Sequence, residues 1–420
     1  MHPILSYCRR FAKAIGPGVI TGAADDDPSG IATYSVAGAQ FGTSMLWTAL
    51  LTWPLMGPVQ MMCARIGMVT GAGLACALKE KFPRPLVILA AFALLFANTL
   101  NVGSDLAGMA DAAEMLSGLS FHIYVALFAL AISWATIRLR YVQIARSLMW
   151  LALFLFSYVI AGFHIRPQWT QVARDALIPS IPHGKQAWAM LVAILGTTIS
   201  PYLFFWQAAQ EVEHDKAEGR DTIAKRLGAT GEEIIDRKFD VGLGTFFSNL
   251  VMFFIILTTA LTLHRHGITE LENSRQVAEA LKPLAGNFAY LLYTIGLLGV
   301  GFLAIPTLTG SAAYAFADIF KWRQGLDERP RRAQAFYGVM VVSTLLAVAI
   351  NFLKVNPLKA LYWTAVVNGI LAPFLLVGIL AVASDRTIMR GQSSSWLGRI
   401  AVGIVTIAMF AAAVLMFVTS

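Results

Sequence analysis

Charge is scarce in this 420-residue chain: Asp, Glu, Lys and Arg make up 13% of it, roughly half the share a soluble domain carries, near 25%. That shortage excludes a water-soluble domain as the organising unit. Cysteine is scarcer still. Cys8, Cys63 and Cys76 are the only three, with no C-x-x-C spacing, so neither a disulfide framework nor a thiolate metal site is expected. They read as small apolar fillers. The chain lacks the dyad alternation of a membrane β-barrel. It also lacks a short apolar stretch ahead of a small-residue cleavage site, so no removable signal peptide is expected. No calcium loop of the D-x-D-x-D-G type is present, and no nucleophile–base pair or ligating histidine cluster points to an enzyme. His164, His264 and His266 fall in expected external loops, away from any metal role.

Apolar length is what the chain has instead. It is 57% hydrophobic, with a mean hydropathy of +0.65, and several runs reach the ~18–20 residues that cross a bilayer. The pattern predicts an all-α polytopic membrane protein with eleven spans. The first is interrupted, 14–25 and 30–41. The others lie at 45–65, 85–113, 121–137, 143–163, 186–215 (also interrupted), 240–263, 287–319, 333–353, 358–383 and 397–418. With the N-terminus inside, the cytoplasmic segments take 24 of the 32 Lys and Arg residues and the outer segments 8. This positive-inside asymmetry places the N-terminus in the cytoplasm and the C-terminus outside. It also accounts for the net charge of +8 through anionic lipid, with no nucleic-acid partner. The polar segment 211–239 is expected as a solvated cytoplasmic loop with a short helix.

Two interruptions stand out. Residues 21–30, TGAADDDPSG, put three aspartates and Pro28 inside the first span. Residues 196–203, GTTISPYL, put Pro201 inside the sixth. Proline lacks an N–H and clashes with the preceding turn, so both helices must break, the first aided by Gly30. The breaks fall five spans apart, in the first and the sixth, which divides the chain into halves of about 12–163 and 186–383 plus an eleventh helix, 397–418. Matching broken helices point to the substrate site of an inverted-repeat transporter, because unpaired backbone at membrane depth is tolerated only where it lines a cavity. The half-helices 14–25 and 186–197 aim their C-terminal carbonyls at the midplane, where those oxygens attract cations.

An aspartate at the bilayer centre costs about 2.5–3.5 kcal/mol on insertion scales and needs compensation. Lys13 is too far along the chain for a local salt bridge. Asp27, at the break itself, is the expected metal ligand. Asp25 and Asp26 have two readings: a wet vestibule, or a cap on the half-helix 30–41. On the third span Asn98, Asn101 and Asp105 share one helical face, beside Ser104. They serve either as interhelix hydrogen bonds or as the wall of an outer cavity, and Thr364 and Asn368 on the tenth span have the same two readings. Gln207 and Gln210 fit an aqueous path on the sixth. Gly38-Ala-Gln-Phe-Gly42 reads as close helix packing.

The stretch GPGVITGAADDDPSGIATYSVAGAQFG resembles the first-helix signature of the Nramp divalent-metal transporters, built on Asp-Pro-Gly-Asn and a later Ala-Gln-Phe-Gly. GTTISPYLFFWQ sits where that family has Met-Pro-His-Asn, and SDLAGMADAAEML is similar to its third-helix Asp-Leu-Ala-Glu segment. The resemblance implies a LeuT-type inverted repeat (5+5) plus an eleventh transmembrane helix, and a metal site between helices 1 and 6. Asp27 and Pro28 match the motif. The family Asn becomes Gly30, the Met falls on Ser200, the His on Tyr202 and the Asn on Leu203. Asp105 is retained, while Gly108 replaces the Glu. This pattern is similar to the Nramp-related magnesium transporters.

The implied site is therefore oxygen-only: the Asp27 carboxylate, the Thr197 carbonyl carried over from the family position, and the Ser200 hydroxyl or backbone. Thioether ligands select soft metals, whereas carboxylate, carbonyl and water suit Mg²⁺ and Mn²⁺. Gly30 and Ser200, smaller than Asn and Met, imply a wider cavity in which Mg²⁺ keeps part of its hydration. With the sixth-helix His absent and Tyr202 untitratable near neutrality, proton coupling is expected to be weak or absent. The expectation is a secondary transporter of Mg²⁺ or Mn²⁺ with no cofactor, acting as a monomer in a bacterial inner or plasma membrane. The competing readings are a proton-coupled Mn²⁺/Fe²⁺ importer, an organic-substrate symporter, which the three acids disfavour, and a sensor on the same fold.

Overall fold

The computed structural model describes residues 17–138, 153–182, 184–353 and 355–419. Residues 143–152 of the expected fifth span lie outside that set, as do Cys8, Arg9, Arg10, Lys13, Arg140, Arg146 and Lys354. Among the described residues there is no strand. The principal helices are α1 (Pro17–Asp25), α2 (Pro28–Phe41), α3 (Leu46–Thr70), α4 (Leu74–Lys81), α5 (Arg84–Ser117), α6 (Phe121–Arg138), α7 (Phe156–His164) and α8 (Trp169–Leu177). They continue with α9 (Lys185–Thr198), α10 (Pro201–Ala217), α11 (Gly231–Thr262), α12 (Ala289–Phe320), α13 (Gln334–Ile350), α14 (Pro357–Ser384) and α15 (Trp396–Val418).

Among the described residues eight helices are long and apolar enough to cross a membrane, or nine if the bent unit 28–81 counts as one span. In that count α9 and α10 form one span through their break, while α7 is a shorter apolar helix. Large apolar side chains are exposed along the outside, Leu130 at 71% and Ile407 at 70% among them. The polar residues of the same spans, such as Asn98, Asn101 and Asp105, are fully buried. That inversion of the soluble pattern is what lipid contact requires.

Both predicted breaks are present, and they are built alike. α1 ends at Asp25 and α2 begins at Pro28, with Asp27 as its extended N-cap. α9 ends at Thr198 and α10 begins at Pro201, with Ser200 as its extended N-cap. Each proline sits in the first turn of the second half-helix, where its missing N–H costs nothing and its fixed φ suits the helix. The expected start of the second half-helix, residue 30, moves back to Pro28 for that reason.

α1 and α2 lean against α11, and α9 against α14. Both contacts are backbone to backbone. A Cβ on Gly22 would come within 2.5 Å of the Gly244 carbonyl carbon, and one on Gly196 within 2.1 Å of the Ala365 oxygen. Gly38 of the G-x-x-x-G also packs closely on α11, its virtual Cβ 2.0 Å from Thr259 Oγ1 and 2.4 Å from the Ile256 carbonyl oxygen.

The segment 211–239 departs from expectation. α10 runs to Ala217 and α11 starts at Gly231, so most of it is helical. A capping box at Thr230 and Glu233 starts α11. Arg237, expected in solvent, is buried and paired with Glu211 at 2.8 Å and Asp240 at 2.6 Å. Asp240 in turn accepts from the first amides of α1, Gly18 N at 2.7 Å and Val19 N at 3.1 Å, which satisfies donors that a helix start leaves free. At the far end of α4, Lys81 donates to Asp385 and holds its carboxyl below the usual carboxylate range.

Candidate metal centre between the broken helices

The first break is organised by Asp27. Its Oδ1 accepts from Gly30 N at 2.7 Å and from Ser29 Oγ at 2.7 Å, the bonds of an N-cap. Its Oδ2 accepts from Asn101 Nδ2 at 3.0 Å. A carboxylate oxygen offers two lone pairs, so Oδ1 is filled by its two donors. No basic side chain among the described residues pairs with Asp27. The capping assigned to Asp25 or Asp26 as one of their two readings belongs to Asp27 instead. Those two are buried, and both accept from Ser248 Oγ on α11, at 2.7 and 3.1 Å. Asp25 Oδ1 has no partner.

The second break meets the first directly. Ser29 Oγ lies 3.5 Å from Thr197 Oγ1, and Tyr34 Oη lies 3.2 Å from Thr198 Oγ1. The Thr197 carbonyl would be bonded in a continuous helix by the N–H of residue 201. That residue is Pro201, so the helical donor is missing. Ser200 Oγ donates back to the Gly196 carbonyl at 2.7 Å. Asp27, Thr197 and Ser200 are each at most 2% exposed, so the site is closed to both sides. The wider cavity expected at Gly30 is not found. A Cβ there would lie 3.3 Å from Thr197 Oγ1 and 3.4 Å from Tyr34 Cε2; those two side chains fill the space.

Of the flanking candidates, the structure brings four to the site: Asn101, Asp105, Asn368 and Tyr202. Asn101 donates to both Asp27 and Asp105, each at 3.0 Å, and accepts from Asn368 Nδ2 at 3.1 Å. One amide thus ties α2, α5 and α14 together. Asp105 Oδ1 and Asn368 Oδ1 remain without partners. Tyr202 reaches the other side of the break, its hydroxyl donating to the Ala24 carbonyl at 2.9 Å.

Three others lie elsewhere. Asn98 ties α5 to α12 through the Leu308 carbonyl and Ser311 Oγ. Thr364 bonds within its own helix, to Leu361. Gln207 donates to Glu211 at 2.8 Å and so joins the Arg237 cluster. Ser29 was missed by sequence reasoning, although a Ser two residues after an Asp is a turn signal. Ser248 carried no local signal.

Among the described residues there is no group of three or more His, Cys, Asp or Glu able to hold a metal ion.

Two broken helices abutting at buried polar residues, inside an all-helical bundle, define a LeuT-fold membrane protein. Solved structures agree. The chain superposes on a manganese transporter of Eremococcus coleocola with TM-score 0.73 and 18% identity, over 96% of this chain and 86% of that one. It also superposes on MhsT in complex with L-phenylalanine, with TM-score 0.59 and 14% identity, over 95% and 97%. The chain belongs to the Nramp family: residues 18–419 match the family described as natural resistance-associated macrophage protein-like. Curated relatives include the divalent metal cation transporter MntH of Caldanaerobacter subterraneus subsp. tengcongensis, 26% identical over 93% of this chain and 89% of its own. MntH of Yersinia pestis is 27% identical over 70% of this chain and 71% of its own.

Proposed function

We propose that the chain carries divalent metal cations, Mg²⁺ and Mn²⁺, across a bacterial inner or plasma membrane by alternating access. The cytoplasmic N-terminus, the outer C-terminus and monomeric action belong to the same proposal. The carrying observation is the pair of proline-capped breaks: Asp27 caps the second half-helix of one, and the proline of the other deprives the Thr197 carbonyl of its helical donor. Membrane relatives named for divalent metal and manganese transport support the cargo class. The magnesium reading rests on donor chemistry: an oxygen-only set does not exclude Mn²⁺, and it lacks the thioether that would favour softer ions over Mg²⁺. The ion is held with part of its hydration. Since the two breaks touch in the closed arrangement, α1–α2 and α9–α10 must part to admit it.

Proton coupling is weak or absent in this reading, because the sixth-helix position next to Pro201 is Tyr202. A proton-coupled Mn²⁺/Fe²⁺ importer is the alternative. Purified protein in liposomes separates the two. Uptake of micromolar Mn²⁺ should fall at least about tenfold under millimolar Mg²⁺, as simple competition for one site requires, and Mn²⁺ entry should leave lumenal pH unchanged. Mn²⁺ uptake indifferent to Mg²⁺ and accompanied by acidification would establish the alternative.

A further inference from the structure

Each proline strips one carbonyl of its helical donor. In α9 that carbonyl is Thr197; in α1, four residues before Pro28, it is Ala24. The molecule treats the two differently. Tyr202, in the first turn of α10 and 178 residues further along the chain, donates its hydroxyl to the Ala24 carbonyl at 2.9 Å. Ala24 and Tyr202 are both fully buried. Thr197 has no matching phenol. The hydroxyl nearest it in sequence on the second half-helix, that of Ser200, is committed to Gly196.

We propose that Tyr202 determines ion selectivity by withdrawing the Ala24 carbonyl from the ion. This rests on the transporter reading above. Two breaks of the same construction would offer two carbonyl ligands, one from each. A carbonyl oxygen has a second lone pair, but the phenol hydrogen on the first draws off electron density and, with no formal charge on the oxygen to offset it, leaves the Ala24 carbonyl a weaker cation ligand than water. The ion then meets Asp27 and Thr197 directly and keeps water where the Ala24 oxygen would have bound. Retained water suits Mg²⁺, which sheds its hydration shell reluctantly and demands a near-ideal octahedron. An extra fixed carbonyl would replace one of those waters, at the expense of the ion that sheds hydration most reluctantly, and so would shift the preference toward Mn²⁺. Tyr202 acts as a positioning residue, through the Ala24 carbonyl, and need not touch the ion.

The test is the ratio of Mg²⁺ to Mn²⁺ dissociation constants, by isothermal titration of the full chain in detergent. Tyr202→Phe keeps the ring and removes the donor. It should raise the ratio, in favour of Mn²⁺, by at least about fivefold, a change of roughly 1 kcal/mol. Replacement of Tyr202 by 3-fluorotyrosine keeps the fold and strengthens the donor, so the ratio should fall toward Mg²⁺ even if the Phe variant cannot be purified. An unchanged ratio in a folded Phe variant, or a shift in the same direction in both variants, overturns the inference while leaving the transporter reading intact. Failure of the wild type to bind either ion overturns both.

Discussion

Asp27→Asn should fold normally and lose divalent-cation binding, with affinities for Mg²⁺ and Mn²⁺ at least about a hundredfold weaker, or some 2.7 kcal/mol. The substitution separates two jobs that one side chain performs. Asn is as good an N-cap as Asp, so the bonds from Gly30 N and Ser29 Oγ survive and α2 still starts at Pro28. What disappears is the negative charge and the bond that Asn101 Nδ2 donates to Oδ2, since the amide nitrogen placed there donates too; that costs about 1–3 kcal/mol of stability without moving the start of α2. Charge-assisted contacts are roughly twice as strong as neutral ones, and among the described residues no group of three or more acidic or other ligating side chains stands in reserve. Titration alongside a thermal melt without metal checks both halves. Retained binding with an intact melt would show that neutral oxygens suffice, and the carboxylate would lose its place in the site.

Arg237→Met should be the most destabilising single change outside the breaks, costing about 3–5 kcal/mol as breaking a buried ion pair does. Arg237 bridges Glu211 at the end of α10 and Asp240 in α11, and Asp240 holds the first two amides of α1. Removing the guanidinium takes the Arg237 charge away from two buried carboxylates, Glu211 and Asp240. Methionine fills similar volume, so the loss reports charge and not a cavity. The melting temperature should fall sharply, and Glu211→Gln added to Arg237→Met should recover part of it, because one of the two stranded charges is then gone. An unchanged melt in Arg237→Met would mean that the cluster contributes nothing to stability.

The breaks were legible from sequence because proline acts locally: Pro28 and Pro201 dictate a helix start whatever surrounds them. Asp27 was singled out as the residue at the break, but its capping of α2 was given to Asp25 or Asp26, because three consecutive acids leave the cap position ambiguous by a residue or two. Arg237, within 211–239, was misread since charge on a polar stretch normally means solvent. Burial of Arg237 depends on Glu211, 26 residues away, and no periodicity reports that. Asn98 and Asn101 show the limit of face arguments. Three residues apart on α5, they are offset by about 4.5 Å along the axis, enough to send one to α12 and the other to Asp27. The volume freed at Gly30 was expected to be open, but Thr197 and Tyr34, distant in sequence, occupy it. The Tyr202–Ala24 bond joins the two halves of the chain and left no trace in either motif.

The most direct measurement is anomalous scattering from Mn²⁺ in crystals of this chain grown with the metal. The account predicts a peak between the two breaks, within coordination distance of the Asp27 carboxylate and the Thr197 carbonyl. A peak elsewhere, with those two groups still bonded as they are in the closed arrangement, would contradict it.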